Sequence, residues 1–535
     1  MAKDVAVLTR HDVAKRIGKG EVVVIYDNLV LKLNSWMSLH PGGEKSILHM
    51  VGRDATDEIN AYHCDETKKR MRAFIVGRVE GVWKSMVPPI QGGQYGEEDE
   101  GVVLDSSSAS SNASDNGEEL QEQGLRPRVS MLRADSGMPP TPAVNAMPSL
   151  PNPVQEAIEN DLANYPSLEP STQQHIAHKY RELHERLEKE GYYDCNYAAY
   201  GRECIRYSIL LAVALYTLHH AWYLTSALFL GLFWHQLTFV AHDAGHLSIT
   251  HDYTLDNLIG ILVADFIGGL SLGWWKTNHN VHHIVTNHPE HDPDIQHMPL
   301  FAVTAKLLEG VRSTYYDRVM EYDAAARFFI RIQRYSYYPI LCFGRFNLYR
   351  LSYDYLIMNR GPKKGKAVPF RYIEMFGICV FWYWYGYCLL KSVPTWGTRI
   401  AYILISHIVT MPLHVQITLS HFAMSTADLG LSESFPQRQL RTTMDVSCPA
   451  WLDFIHGGLQ FQAVHHLFPR VPRHNLRAVQ QLVKEFCGEV GIEFKEMEFV
   501  DGNRFVVGRL GEVSQQARIL ATVAKAFHGN DVHFH

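Results

Sequence analysis

Cysteine is scarce and unpatterned. Eight residues scattered from Cys64 to Cys487 include no Cys-x-x-Cys pair, which argues against a disulfide framework and a thiolate zinc site and points to a reducing compartment. A strong positive charge is also missing. A net charge of -6 over 535 residues leaves no basic face of the kind nucleic acid requires, so that partner is set aside. The opening MAKDVAVLTRHDVAKRIGKG lacks the apolar core of a signal peptide, and a cytosolic N-terminus is expected. No Glu-x-x-His pair occurs, which removes the carboxylate-rich di-iron motif of soluble helical bundles. The mean hydropathy of -0.14 is too polar for a chain embedded in a membrane throughout, yet a few windows are densely apolar. Such an average arises when unlike parts share one chain.

Composition separates those parts. Residues 1–84 combine the β-rich VVVIYDNLVLKL with short helical pieces between glycines, and read as a small α+β domain. Residues 85–170 shift to Ser, Asp, Glu, Gly and Pro, too polar to offset their ordering entropy, and read as a disordered linker. Residues 171–535 read as a mainly helical membrane domain. It begins with an amphipathic helix, TQQHIAHKYRELHERLEKEG. Two closely connected spans are expected in 207–241 and one each in 370–393 and 400–421, about four in all at the ~20 residues a bilayer needs. The apolar stretch 255–275 carries Asp256, Asp265 and several glycines, and its reading depends on the chemistry that follows.

Two kinds of histidine motif stand out among 29 histidines. The first is Trp36-Met-Ser-Leu-His40-Pro41-Gly42-Gly43, followed by Gly52-Arg-Asp54-Ala55-Thr56 and His63. Pro41 and the glycines form a tight turn that presents His40. The 23-residue separation between His40 and His63 allows a helix-turn-helix to bring the two imidazoles face to face across a slot. The second kind is a set of three clusters: His242-Asp-Ala-Gly-His246, His279-Asn-Val-His282-His283 and Gln462-Ala-Val-His465-His466. On a helix, positions i, i+3 and i+4 share one face, so each cluster presents its imidazoles to one site. Imidazole suits zinc, copper, iron and nickel. Seven imidazoles exceed the need of one zinc or copper, whereas two irons sharing them keep open positions for oxygen.

The first motif resembles the cytochrome b5 family, which implies heme b held by His40 and His63. The boxes HDAGH, HNVHH and QAVHH resemble those of membrane fatty-acyl and sphingolipid desaturases, over about residues 200–480. Glutamine opening the third box, together with a haem domain, is typical of the b5-fused front-end group. The runs HGGLQFQAVHHLFPRVPRHNLR and SHFAMST and the long linker most resemble fungal sphingolipid 8-desaturases. The resemblance implies an oxygen-dependent desaturase with two non-haem irons on His242, His246, His279, His282, His283, His465 and His466. It also implies a further histidine before the third box, for which His421 is the candidate and His414, seven residues earlier on the same helical face, the weaker one, with a hydrogen-bonded core histidine as the other reading. Gln462 is open to direct, water-bridged or supporting roles, and Asp243 to accepting from an imidazole N–H. His219, His220 and His235 are expected to be hydrogen-bonded in the interior, and His11 and His49 to face solvent.

For three boxes to face one site, 255–275 must re-enter rather than cross. That places the haem domain, boxes and C-terminal tail on the cytosolic face of an endoplasmic reticulum membrane, within reach of NADH-cytochrome b5 reductase. The implied substrate is a sphingoid base or ceramide. Front-end fatty-acyl desaturation, b5-fused lipid hydroxylation and a non-catalytic haem-binding adaptor remain the alternatives.

Overall fold

The computed structural model describes residues 5–95 and 152–530, with side-chain environments given through residue 522. The N-terminal unit is built on an antiparallel sheet, Val23–Tyr26, Leu29–Lys32 and Ile75–Arg78, in sequence order. Its first hairpin turns on Asp27 and Asn28, both at positive φ, the geometry that matches strand twist and that Asp and Asn tolerate. Helix Arg10–Gly18 starts at a capping box in which Thr9 and Asp12 satisfy each other's backbone N–H. It buries Val13 and Ile17 against Val23, Ile25 and Val30. Residues 85–95, expected to be linker, belong to this unit: Met86 is buried in the same core, and the Tyr95 hydroxyl donates to Val87 O at 2.6 Å.

The linker expectation is corrected at its other end too. Asn152 caps a helix, Pro153–Asn164, whose Asp161 is engaged by Arg441. The remainder, 96–151, lies outside the described residues. The amphipathic helix forms as Pro170–Lys189 and buries Ile176, Tyr180, Leu183 and Leu187, the three-to-four spacing that puts one stripe inside.

Among the described residues, three helices are long and apolar enough to cross a membrane: Tyr223–Gly245, Gly365–Ser392 and Trp396–Phe422. A fourth candidate is the pair Tyr253–Ile267 and Leu272–Ile284, which bends by 116°. Helix Tyr197–His219 packs against Tyr223–Gly245 as the expected hairpin, but Arg202, Glu203 and Arg206 lower its hydropathy, so it is not among the three. Its exposed Ile205, Ile209 and Leu215 still offer an apolar outer face. The bend falls within 255–275. A π-helical turn, Leu262–Ile267, precedes it, and Ser271 caps the returning helix. Freed backbone groups there find protein partners: Arg345 donates to Gly268 O at 2.6 Å and Trp234 to Ile267 O at 3.0 Å, as an irregular segment at membrane depth requires.

The haem unit is packed against the larger domain. Val24, Leu31 and Met50 share a core with Val281, Ile284 and Val285 of the helix that carries the second box. Arg181 pairs with Asp57 at 2.5 Å and Arg438 with Glu58 at 3.0 Å across the seam.

Candidate metal centre

His40 and His63 face each other across the haem unit with ring centroids 6.3 Å apart. Two metal–nitrogen bonds of about 2 Å each, plus the half-widths of two imidazoles, need about that spacing. Each ring is oriented by its own chain: His40 Nδ1 is 2.7 Å from Gly43 O and His63 Nδ1 is 3.1 Å from Ile59 O, leaving Nε2 of each for a ligand. Burial pushes both imidazoles below their ordinary pKa, His63 to about 3, so the lone pairs are available at neutral pH. The slot therefore fits a bis-imidazole haem.

The three boxes converge in the second unit. Donor atoms of His242, His246, His279 and His465 lie within 4.8 Å of one another, and so do those of His282, His421 and His466. His242 and His246 come from the end of helix Tyr223–Gly245, and His279, His282 and His283 from Leu272–Ile284. His421 ends Met411–Phe422, and His465 and His466 sit on Gln462–Leu467. The N-terminus of that last helix is fixed by the buried Asp445 carboxylate, which accepts from Ala463 N at 2.8 Å.

His283 contributes to neither donor set. Its Nε2 lies 3.0 Å from His279 Nε2 and its ring stacks on His466 at 4.0 Å, so it touches both groups from between them. Gln462 is buried and lines the same small cavity as His242 and His465. The chemistry of the cluster calls for cations. His246 Nε2, His283 Nδ1, His421 Nδ1, His465 Nε2 and His466 Nε2 are buried with no hydrogen-bond partner among the described residues. Each such atom costs about 1–3 kcal/mol if nothing satisfies it. Convergent imidazoles of this kind fit metal ions, with iron among the metals that imidazole suits.

Outer contacts aim the rings. His282 Nδ1 is 2.8 Å from Asp292 Oδ2, the carboxylate–histidine arrangement that fixes tautomer and raises ligand basicity. His466 Nδ1 is 3.0 Å from Gln439 Oε1, and Asn287 donates to His421 O at 2.7 Å. Asp294 groups with His279 and His282. Trp275 stacks on His279 at 4.4 Å and lies edge-on to His246, covering one side of the cluster. Sequence reasoning missed Asp292, Asp294 and Gln439. The acidic His291-Asp292-Pro293-Asp294 run, starting eight residues past the second box, was a readable signal for the first two; Gln439 had none.

Other placements follow expectation only in part. Asp243 is held by Arg473 and by the Tyr200 hydroxyl, while His242 Nδ1 stays 3.8 Å away, beyond hydrogen-bond range. His49 is fully buried at the seam, its ring 5.2 Å from that of His291, because the docked larger domain covers it. His219 and His220 are exposed at the turn between the hairpin helices; His235 is buried. His414 is buried with an unpartnered Nε2 but lies outside both donor sets.

Residues 219–497 match the family model described as fatty acid desaturase, and residues 9–80 that of the cytochrome b5-like heme/steroid binding domain. The Delta 8-(E)-sphingolipid desaturase of Emericella nidulans is 54% identical over 529 residues, covering 97% of each chain. The protein of the same name from Komagataella phaffii is 50% identical, covering 98% of this chain and 96% of its own. A Delta(8)-fatty-acid desaturase of Helianthus annuus is 35% identical over 65% of this chain and 76% of its own.

Proposed function

Because the chain belongs to the fatty acid desaturase family and carries a cytochrome b5-like haem domain, we propose that it desaturates the long-chain base of a sphingolipid at position 8. The observation that carries this reading is 54% identity to the Emericella nidulans Delta 8-(E)-sphingolipid desaturase across 97% of both chains. The substrate is a sphingoid base or ceramide.

In this reading His242, His246, His279 and His465 would hold one iron, and His282, His421 and His466 a second, with His283 and Gln462 beside them. Iron held there would supply the redox chemistry of an oxygen-dependent desaturation, in which dioxygen, two hydrogens from adjacent methylenes, two electrons and two protons give a double bond and two waters. The chain's own residues prepare that chemistry. Asp292 holds the proton on His282 Nδ1, so Nε2 presents its lone pair inward, and Gln439 does the same for His466. Trp275 shields the imidazoles of His279 and His246 from water. His40 and His63, facing each other across the slot, would hold a haem between them, and a haem held by two imidazoles would supply one-electron transfer. An NADH-dependent cytochrome b5 reductase on the cytosolic face of the endoplasmic reticulum would refill it. The fused arrangement raises the effective concentration of donor at the iron site.

Of the three arginines close to the third box, Arg473 and Arg477 are committed to Asp243, Glu203 and Asp453, and Arg470 lies over the Tyr193 ring, so two of the three are not free to bind a polyanionic acyl carrier. The test is expression in a yeast that makes no unsaturated sphingoid bases, followed by mass analysis of sphingoid and fatty-acyl pools. A new double bond at position 8 of the sphingoid base is expected. A double bond in fatty acids alone would overturn the substrate assignment, and a hydroxyl in its place would overturn the reaction.

A further inference from the structure

Both haem-ligand loops meet the second histidine box at the seam between the two units. The Asn280 side-chain amide donates to Gly42 O at 3.4 Å, two residues from His40. His40 Nδ1 is itself bonded to Gly43 O at 2.7 Å. A Cβ added at Gly42 would lie 2.8 Å from Asn280 Nδ2 and 2.9 Å from His40 Cε1, so ligand ring, loop and amide are packed together and a larger residue would displace the ring or the amide. On the other side Tyr62, which precedes His63, sets its ring edge-on to His283, with centroids 5.9 Å apart. Apolar Val24, Met50, Val281 and Ile284 pack the seam, and Glu58–Arg438 and Asp57–Arg181 fix its orientation.

We propose that the second histidine box is the electron port of the enzyme, with the Gly42–Asn280 hydrogen bond as the link between the His40 loop and the helix that carries His279 and His283. This rests on the desaturase reading above. Each transfer oxidises one ferrous haem to ferric and reduces one ferric ion of the histidine cluster to ferrous. Two transfers serve each double bond, and the reductase returns one electron to the haem after each. Tunnelling decays more steeply across a gap than along covalent and hydrogen bonds, so the amide offers a bonded route across the seam. Asn280 is thus a positioning residue, needed as a donor. Aspartate in its place would face the Gly42 carbonyl acceptor to acceptor. Tyr62 meets the same box on its other side, edge-on to His283.

The experiment uses the full-length enzyme loaded with haem and iron. Its haem is reduced anaerobically by the reductase and then mixed with oxygen and sphingolipid substrate, while the haem Soret band reports reoxidation. Asn280→Asp should slow reoxidation by about tenfold or more, with haem spectrum and iron content unchanged. Protein whose irons are already reduced by dithionite needs no transfer for its first turnover, so the variant's single-turnover product yield should equal that of wild type. Glu58→Arg should slow the same haem step, and adding Arg438→Glu should restore it, which tests the docked state without touching the box. Wild-type reoxidation rates in Asn280→Asp, or in Glu58→Arg, would overturn the port. So would loss of iron or of single-turnover yield in Asn280→Asp, which would place Asn280 in the iron site instead. Failure of the wild-type haem to reoxidise faster when substrate is added would instead sink the desaturase reading itself.

Discussion

In the haem slot each imidazole is oriented by a carbonyl three or four residues away, Gly43 for His40 and Ile59 for His63. In the histidine cluster the orienting groups are distant: Asp292 lies ten residues from His282, and Gln439 twenty-seven from His466. The cluster draws its donors from four separate helices, the slot from two neighbouring loops of one small domain. A locally built site depends on one short peptide and its immediate core. A site built from distant parts depends on the packing of the whole membrane domain. Damage should therefore travel from the fold to the cluster more readily than to the slot.

The largest effect is expected from His466→Ala. Desaturation should fall below detection, more than the 10–100-fold typical of losing an outer partner, while the bis-histidine haem spectrum stays intact. Lipid analysis and a reduced-minus-oxidised spectrum check both halves; loss of the haem spectrum as well would show that the two regions are not independent. His40→Ala inverts the test. Haem should be lost with iron retained, and turnover should drop by on the order of 10²-fold in cells lacking free cytochrome b5, because the intramolecular donor is gone. Full activity without haem would remove the fused-donor idea.

Asp292→Asn sharpens the comparison by leaving every donor in place and weakening only the aim of His282. Iron content and turnover should fall about 10–100-fold, and titration with ferrous iron should recover part of the activity; unchanged iron affinity would deny the carboxylate its role. The smallest effect is Thr9→Ala, which breaks the capping box of helix Arg10–Gly18. It should lower the stability of the haem unit by about 1 kcal/mol, read as an earlier loss of the Soret band on heating, with iron content unchanged.

Legibility followed the same division. The His40-Pro41-Gly42-Gly43 turn and the i, i+3, i+4 spacing of the boxes are short-range facts, because a tight turn and a helical repeat set those directions within a few residues. Asp265 and the glycines near it marked where the apolar stretch would break, and the chain bends there by 116°. Other features were out of reach. His414 and His421 share a face of one helix, but seven residues are about 10 Å of rise, and only His421 ends up at the cluster. His283 has the same spacing as its neighbours, yet it stacks against His466 instead of joining either donor set.

The sequence by itself determined that there is a haem-type slot, that three helical faces carry imidazoles, and where polar residues interrupt the apolar runs. Those depend on backbone periodicity and turn chemistry, which act over one or two helical turns. Only the tertiary structure decided that Asp243 belongs to Arg473 rather than to an imidazole, that His49 is buried, and that the His40 loop rests on Asn280. Each of these depends on which distant surfaces pack together. Burial and partner choice are properties of the assembled interior, where a group loses its water and must take whatever neighbour the packing provides.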